Sequence, residues 1–404
     1  MTPSHRSPPT GTTFAFVLCT AIIAIFFSTS AVQPATALRY MGLTVGMGTQ
    51  KVFEGWMSST GKTIDTDLRP VAGIMDQVKQ DMKQGLNLFD IYEINQAGTE
   101  FADKGWIRDL TEDVQDPKFK WSQIALASRK WQTEYDNRVW SVPVDSDSYL
   151  LYYRRDLIAA PPTTWEEYLE VAKEWHGKDI NGDGIPDFGA CTITEGQFTQ
   201  LAFAIAATVM KHKKGNRQGY THDVSDSDDE LMKNLLETEG WAYTMDMVKE
   251  IWKYAQGVPT TVATAYAQFR EGRCATYISY PSAGTQTVAA GSYIYGKLGV
   301  ARAPGAKKIF NRDTNSLTPC DPDLCPFIEA GSINRPSYIT GGVMLLINSQ
   351  TSGQDLEDAL DFCAYATNNV DVRRAGGLNP YREAHFNASW YPEADAPWHK
   401  LDAE

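Results

Sequence analysis

Basic residues are scarce relative to acidic ones in this sequence. Lysine and arginine together number 37, against 50 aspartate and glutamate residues, which gives a formal net charge of -13. Most of the surface of such a protein repels a phosphate backbone. From this acidic charge balance we predict that nucleic acid is not a partner.

The motifs of common catalytic and nucleotide-binding sites are missing. The chain has no G-x-S-x-G nucleophile elbow, no H-E-x-x-H zinc helix and no G-x-G-x-x-G phosphate loop. Its six histidines show no spacing typical of a catalytic triad or a metal pair. No side chain is nominated as a nucleophile, so the sequence predicts a protein that is not an enzyme.

The N-terminal apolar run is short. Residues 14–27 are almost entirely apolar, follow Arg6, and precede the small residues Ala35 and Ala37. A transmembrane helix needs about 20 apolar residues, whereas this arrangement is typical of a signal peptide. We expect residues 1–37 to be a cleaved signal peptide and the mature protein to be periplasmic or extracellular. A membrane anchor is the alternative.

Cysteines are also few. Five of the six follow the predicted signal peptide, at Cys191, Cys274, Cys320, Cys325 and Cys363. In an oxidising compartment, an odd number leaves at least one thiol unpaired. The short segment from Cys320 to Cys325 predicts a local disulfide, since the further ligands that zinc would need are lacking nearby. The other pairings stay open.

Short apolar runs alternate with amphipathic segments beyond residue 37. This pattern predicts an α/β protein with largely parallel sheets. Strands are expected at 38–45, 88–94, 274–280 and 338–347, and helices at 71–84, 165–175, 231–255 and 355–366. Thr164 and Glu167 have the spacing of a capping box, which predicts that the second of these helices begins at Trp165.

Residues 179–187 are rich in side-chain oxygens at the spacing of a calcium loop. The candidate ligands are Asp179, Asn181, Asp183, Ile185 and Asp187. Gly184 occupies the sixth place, where the loop turns sharply, but the twelfth place is Ala190 instead of a bidentate glutamate. Two interpretations remain open: a structural calcium site, and a metal-free turn rich in Asp and Asn.

Aromatic residues are abundant, with 11 Trp and 19 Tyr. Their rings can stack on the apolar face of a sugar, while carboxylates and amides bind its hydroxyl groups. The composition therefore permits a carbohydrate site.

Several segments in a fixed order resemble the extracellular solute-binding proteins of ABC transporters, the family that includes the maltose-binding protein. The segments are residues 88–110, 142–157, 162–193, 269–280, 299–305 and 340–350. The resemblance implies a monomer with the two-lobed α/β fold of type II periplasmic binding proteins, hinged between the lobes. It places residues 38–145 and 303–368 in lobe 1, and residues 146–302 and 369–404 in lobe 2.

The resemblance also implies a ligand site on loops at strand ends, for a small polar ligand such as a sugar or an oligosaccharide. The candidate residues are Gly46, Gln50, Asn95, Gln96, Asp145, Asp147, Glu195, Gln197, Phe198, Tyr280, Ser282, Gly341, Gly342 and Arg382. The implied partner is a membrane permease that recognises the ligand-bound form.

Two alternatives stay open. Family members continue for a further pair of helices, which predicts that this chain is a fragment or the sensory ectodomain of a longer receptor. A secreted hydrolase is the other alternative, and its support is the neighbouring carboxylates Asp145 and Asp147. Glycosidic carboxylates must stand about 5 Å or more apart across the scissile bond.

Overall fold

A computed structural model gives the structure of residues 37–44, 50–95, 98–194, 199–213, 219–223, 233–257, 260–287, 291–336, 339–369 and 378–386. Residues 36–404 belong to one compact unit. Within the described ranges, no helix combines the length and apolar character needed to cross a membrane.

The strands of the described residues are short. They are β1 (Leu38–Leu43), β2 (Ile64–Arg69), β3 (Ile91–Ile94), β4 (Glu134–Tyr135), β5 (Arg138–Val139), β6 (Val142–Pro143), β7 (Asp147–Ser148), β8 (Leu150–Arg154), β9 (Phe188–Cys191), β10 (His222–Asp223), β11 (Lys233–Asn234), β12 (Cys274–Ser279), β13 (Leu298–Arg302), β14 (Lys308–Asn311), β15 (Ser316–Pro319), β16 (Ile328–Glu329), β17 (Ile333–Asn334), β18 (Ile339–Gly341) and β19 (Met344–Ile347).

The helices lie mostly between strands. They are α1 (Gln50–Thr60), α2 (Val71–Gln84), α3 (Thr99–Asp103), α4 (Leu126–Ser128), α5 (Trp165–Trp175), α6 (Thr199–Val209), α7 (Glu239–Trp252), α8 (Val262–Arg270), α9 (Pro281–Thr287) and α10 (Gly353–Asn368).

Two mixed sheets organise the structure. One has the strand order β2-β1-β3-β19-β6, in which β1 runs parallel to β2 and β3 while β19 is antiparallel to its neighbours. The other has the order β13-β8-β12-β9, in which only β12 and β9 are parallel. The expectation of largely parallel sheets is therefore wrong, because β8 and β19 run against the strands beside them.

Two large hydrophobic cores accompany these sheets. The first core combines side chains from residues 38–144 and 343–378. The second core draws on residues 149–317. Ala306, Phe310 and Leu317 pack in the second core, although the sequence places residues 303–368 in lobe 1. The lobe boundaries therefore remain a prediction.

Local signals predicted several element ends. The bounds of α2 are those expected, and Thr164 and Glu167 form the predicted capping box at the start of α5. The predicted helix over 231–255 is partly wrong, because α7 begins only at Glu239. Oδ1 of Asn234 accepts a hydrogen bond from the Leu236 main chain at 2.9 Å, and this turn separates strand β11 from the helix.

Candidate ligand-binding site between the two cores

The chain passes between the two cores on two neighbouring strands. β7 pairs antiparallel with β18, and Asp147 lies opposite Gly341. Val144 and Val343 pack in the first core, whereas Tyr149 packs in the second. We call β7 and β18 the crossing pair. Its position brings predicted ligand residues from distant parts of the sequence to one place.

Asp145 lies just before the crossing pair and is 3 % exposed. Its Oδ1 accepts hydrogen bonds from the main-chain N–H of Asn379 and, at 2.9 Å, from Nδ2 of the same residue. Its Oδ2 accepts a hydrogen bond from the Val343 N–H at 3.4 Å. Its main-chain oxygen accepts one from Nε2 of Gln132 at 2.6 Å. Three separate chain segments therefore hold this residue.

Asp147 is half-buried and shares a donor with Asp145. Its Oδ1 accepts a hydrogen bond from Nδ2 of Asn379 at 2.6 Å. Burial raises the pKa of Asp145 to about 6. Burial, followed by the negative charge of Asp145, raises the pKa of Asp147 well above its ordinary range. Two adjacent carboxylates in a desolvated site cannot easily both ionise, so the ionisation of one opposes that of the other.

Neither carboxylate has an ion-pair partner in the part of the chain that the structure describes. The groups that perturb them are main-chain amides, Asn379 and each other. Such a site is rich in hydrogen-bond acceptors and poor in fixed positive charge. It suits a ligand that brings several hydroxyl donors.

Two glycines shape the other strand of the crossing. Gly341 and Gly342 have φ angles of +136° and +133°. A Cβ atom on Gly342 would lie 2.7 Å from the main-chain oxygen of Asp145 and 2.4 Å from Nε2 of Gln132. A Cβ on Gly341 would lie 3.6 Å from the main-chain oxygen of Asn95. The close approach of the backbones requires glycine at 342 and places Asn95 beside the crossing pair.

The second core contributes residues from the end of β12 and the start of α9. The ring of Tyr280 stacks on that of Tyr149, with centroids 5.0 Å apart. The main-chain N–H of Ser282 donates to Oδ1 of Asn379 at 2.6 Å. The Ser282 hydroxyl lies 3.0 Å from the hydroxyl of Tyr266. Asn379 thus joins Ser282 to the two carboxylates of the crossing.

The structure gathers part of the predicted site. The predicted residues that lie at or beside the crossing are Asn95, Asp145, Asp147, Tyr280, Ser282, Gly341 and Gly342. Gln50 begins α1, and nothing is described of its side chain. The predicted residues Gly46, Gln96, Glu195, Gln197 and Phe198 lie outside the described ranges.

Arg382 lies away from this cluster. It is 1 % exposed, and its guanidinium donates to Oδ1 of Asn368 at 2.6 Å and to the main-chain oxygen of Phe119 at 3.3 Å. These contacts tie the C-terminal part of the described chain to α10 and to the turn at Phe119. The described contacts of Arg382 are internal to the protein, and its predicted ligand contact stays a prediction.

Asn379 is the central residue that sequence reasoning missed. It precedes Pro380, and an Asn-Pro pair indicates a turn without saying what the asparagine side chain contacts. Its partners Asp145 and Ser282 are 234 and 97 residues away in sequence. No local pattern carries that information.

The calcium-like loop is closed by its own hydrogen bonds. The carboxylate of Asp179 accepts main-chain N–H groups of Gly182 at 2.7 Å, Gly184 at 2.9 Å and Asp183 at 3.2 Å. These amides, that of Gly184 first, lower the pKa of Asp179. One oxygen of Asp187 accepts the amides of Ile180 and Asn181 at 3.0 and 3.2 Å.

The guanidinium of Arg273 binds the other carboxylate oxygens of this loop. Arg273 forms ion pairs with Asp183 and with Asp187. Ile185 is 53 % exposed, and its N–H donates to Asp183. Across the described residues, no three or more His, Cys, Asp or Glu side chains form a metal-binding group. These contacts favour the second interpretation, a metal-free turn, and the calcium site stays an untested prediction.

Metal removal is therefore expected to leave the protein unchanged. Treatment with a chelator should not alter the melting temperature, because Arg273 already neutralises the carboxylates that calcium would need. The matched variant Arg273→Gln should lower the melting temperature, since this change leaves the carboxylates of Asp183 and Asp187 without their cation. A melting temperature that falls on chelation and recovers with calcium would contradict this view of the loop.

Comparisons with known proteins agree with this architecture. The model of the bacterial extracellular solute-binding protein family matches residues 58–382. A solved ABC transporter solute-binding protein from Agrobacterium radiobacter K84, in complex with ribitol, is 14 % identical over 91 % of this chain and 86 % of its own, with a TM-score of 0.66. Maltose-bound MalE3 of T. maritima is 20 % identical over 90 % of this chain and 86 % of its own, with a TM-score of 0.64.

A third similar structure is an ABC transporter solute-binding protein from Agrobacterium vitis S4 with bound D-mannitol. It is 18 % identical over 90 % of this chain and 82 % of its own, with a TM-score of 0.62. These likenesses confirm the predicted two-lobed periplasmic-binding-protein fold. The family match confirms a binding protein, so the hydrolase interpretation of Asp145 and Asp147 is wrong. The chain belongs to the bacterial extracellular solute-binding proteins.

Proposed function

We propose that this protein captures a sugar or a polyol beside the crossing pair and delivers it to an ABC-type membrane permease. The observation that carries the proposal is the convergence of carboxylate, amide and tyrosine side chains from both cores at the crossing. The similar proteins named above were solved with ribitol, maltose and mannitol, which are all polyhydroxylated. A site between two lobes can close on such a ligand.

Unsatisfied acceptors beside the crossing support a hydroxyl-rich ligand. Oδ1 of Asn95 and Oε1 of Gln132 are buried and accept no hydrogen bond from the described part of the protein. Buried polar atoms are normally paired, so an orphaned acceptor next to a binding site indicates a donor supplied from outside. A sugar hydroxyl supplies that donor without adding charge, whereas an anionic ligand would face the carboxylates of Asp145 and Asp147.

Further predicted residues complete the proposed site. We assign ligand contacts to Gln50 at the start of α1 and to Gly46, Gln96, Glu195, Gln197 and Phe198, which lie outside the described ranges. Glu195 follows β9, whose last residue Cys191 is bonded to Cys274 in β12. The disulfide fixes the end of β9, where this loop begins, within the sheet of the second core.

The lobe boundaries of this proposal differ from the initial expectation in two segments. We assign the hairpin β14–β15 to lobe 2, because Phe310 and Leu317 pack in the second core. We assign residues 378–386 to lobe 1, because Leu378 packs in the first core and Arg382 bonds to Asn368 and Phe119. Lobe 1 then consists of residues 38–145, about 339–368 and 378–386.

Secretion is part of the same proposal. We propose that residues 1–37 are a signal peptide and that the protein works as a monomer outside the cytoplasm. The disulfides Cys191–Cys274 and Cys320–Cys325 support an oxidising compartment. Nothing among the described residues favours the sensory alternative over uptake.

A ligand screen tests the proposal. Purified protein is heated in the presence of individual sugars and polyols, and a true ligand is expected to raise the melting temperature because it binds only the folded state. Calorimetric titration of Asp147→Ala with that ligand should then show binding about ten-fold to a hundred-fold weaker, because a buried hydroxyl loses its acceptor. Glu195→Ala should behave similarly.

Asp246→Ala is the matched control, since Asp246 is an exposed residue of α7 with 73 % of its side chain accessible. Its affinity is expected to equal that of the unmodified protein. Asp145→Ala is less suitable, because it also leaves two N–H groups of Asn379 without an acceptor and so lowers stability. If no sugar or polyol binds, or if Asp147→Ala and Glu195→Ala bind normally, the proposed ligand or its site is wrong.

A further inference from the structure

Three hydrogen bonds hold the side chain of Asn379, and the partners belong to different parts of the fold. Nδ2 donates to Oδ1 of Asp145 at 2.9 Å and to Oδ1 of Asp147 at 2.6 Å. Its Oδ1 accepts the Ser282 N–H at 2.6 Å. We propose that Asn379 is a positioning residue that sets the relative position of the two lobes by bridging the crossing to the start of α9.

The neighbours of these residues show why this contact spans the two cores. Leu378, directly before Asn379, is buried in the first core, as is Val144, directly before Asp145. Tyr280 and Ala283, on either side of Ser282, are buried in the second core. A displacement of one core relative to the other must therefore break the hydrogen bond between Asn379 and Ser282 or the bonds between Asn379 and the carboxylates.

The amide is the chemically suitable group for this position. It offers two donors to two acidic side chains and one acceptor to a main-chain N–H. An aspartate at 379 would present only acceptors when ionised and would add a third carboxylate. A leucine would keep the volume but leave Ser282 N–H and the carboxylates without their partner, which is costly for buried groups.

The charge of Asp145 and Asp147 also affects the hydrogen bonds that they accept from Asn379. The titratable groups that face the pair from the surrounding elements are Tyr149, Tyr266, Tyr280 and Tyr381. Burial raises the pKa of Tyr266 and of Tyr381 to about 12, so these hydroxyls stay neutral in the physiological range. The pair itself is then the group at this contact whose charge changes near neutral pH.

The sign of the pH effect follows from the raised pKa values. Burial raises the folded-state pKa of Asp145 to about 6, above the ordinary value of 3.8. The folded protein binds this proton more tightly than the unfolded chain does, so the contribution to stability is complete below the unfolded pKa and is lost as the pH rises through the folded pKa. Ionisation of Asp145 above about pH 6 makes it a charged acceptor for Asn379, which strengthens this hydrogen bond, while burial of the charge lowers the stability of the fold.

Distance measurements between the lobes test this inference. The inference rests on the proposed function only in that ligand capture would give the interlobe arrangement its biological role. Spin labels are attached at Lys104→Cys and Lys249→Cys, which are exposed sites beside the first and second core respectively. The distance distribution is recorded without ligand. Asn379→Leu is expected to shift the equilibrium between interlobe arrangements by about ten-fold to a hundred-fold, because bonds to a charged group are lost. Asn379→Asp should give a similar shift, because an ionised carboxylate offers acceptors only.

Asn348→Leu is the matched control. Asn348 is a buried amide whose side chain donates to the main-chain oxygen of Phe89 and accepts the N–H of Gln350, both on the side of the first core. The Asn348→Leu substitution should lower the melting temperature without changing the interlobe distance. Unchanged distances in both Asn379 variants, or equal changes in the Asn348 control, would overturn the inference. If one of the two Asn379 variants fails to fold, the distance distribution of the other decides. Because no ligand is present, failure to bind a sugar leaves this result unaffected.

Discussion

Gly342→Ala is expected to destabilise the folded protein by roughly 3 kcal/mol or more, through steric contact and backbone strain together. The added Cβ would stand 2.7 Å from the main-chain oxygen of Asp145, and main chain cannot rotate away as a side chain can. The φ angle of +133° is itself unfavourable for a residue with a Cβ. The free energy of unfolding, measured by urea denaturation, checks the size of the effect.

Gly341→Ala is the neighbouring control that separates strain from contact. Gly341 has nearly the same φ angle, +136°, but its added Cβ would meet nothing closer than the main-chain oxygen of Asn95 at 3.6 Å. It should therefore show the cost of backbone strain alone, which is about 1 to 3 kcal/mol. Equal destabilisation by both substitutions would mean that the crossing can adjust and that the close approach of Asp145 is unimportant.

Removing the disulfide between Cys191 and Cys274 is expected to lower the free energy of unfolding by about 4 to 5 kcal/mol in the chain-entropy model. The two residues are 83 positions apart, so the bond strongly restricts the unfolded chain. The paired substitution Cys191→Ala with Cys274→Ala removes the bond without leaving a free thiol at either position. Urea denaturation under non-reducing conditions gives the change in stability.

The other disulfide provides the internal comparison. Cys320 and Cys325 are separated by 5 positions, and the same model gives about 2 kcal/mol for so short a loop. The double substitution Cys320→Ala with Cys325→Ala should therefore be the milder one. A larger loss from the short loop than from the long one would show that packing around the sulfur atoms, and not restriction of the unfolded chain, dominates.

Sequence reasoning succeeded where the deciding interactions are local. The capping box of Thr164 and Glu167 lies within four residues, and the apolar face of α2 repeats at helical spacing. The bond between Cys320 and Cys325 also closes over a short loop, and the structure confirms it. Such features leave a readable pattern because both partners are in the same window of sequence.

The parts that escaped prediction depend on distant partners. Five cysteines outside the proposed signal peptide leave several pairings open, and only the fold brings Cys191 in β9 beside Cys274 in β12. The calcium-like spacing could not reveal that Arg273, 86 positions from Asp187, neutralises the loop. The antiparallel direction of β8 and β19 likewise follows from the crossings of the chain and not from the apolar runs themselves.

The two cores are supplied differently by the polypeptide, and this difference permits an order of assembly. The second core uses one continuous stretch, residues 149–317, whereas the first core needs residues 343–378 to join residues 38–144. A chain that enters the proposed oxidising compartment from its N-terminus can complete the second core while the first still waits for β19 and α10. Cys191 and Cys274 lie in that earlier core, and the unpaired, buried Cys363 lies in the later one. The long-range disulfide can therefore form before Cys363 has entered that compartment.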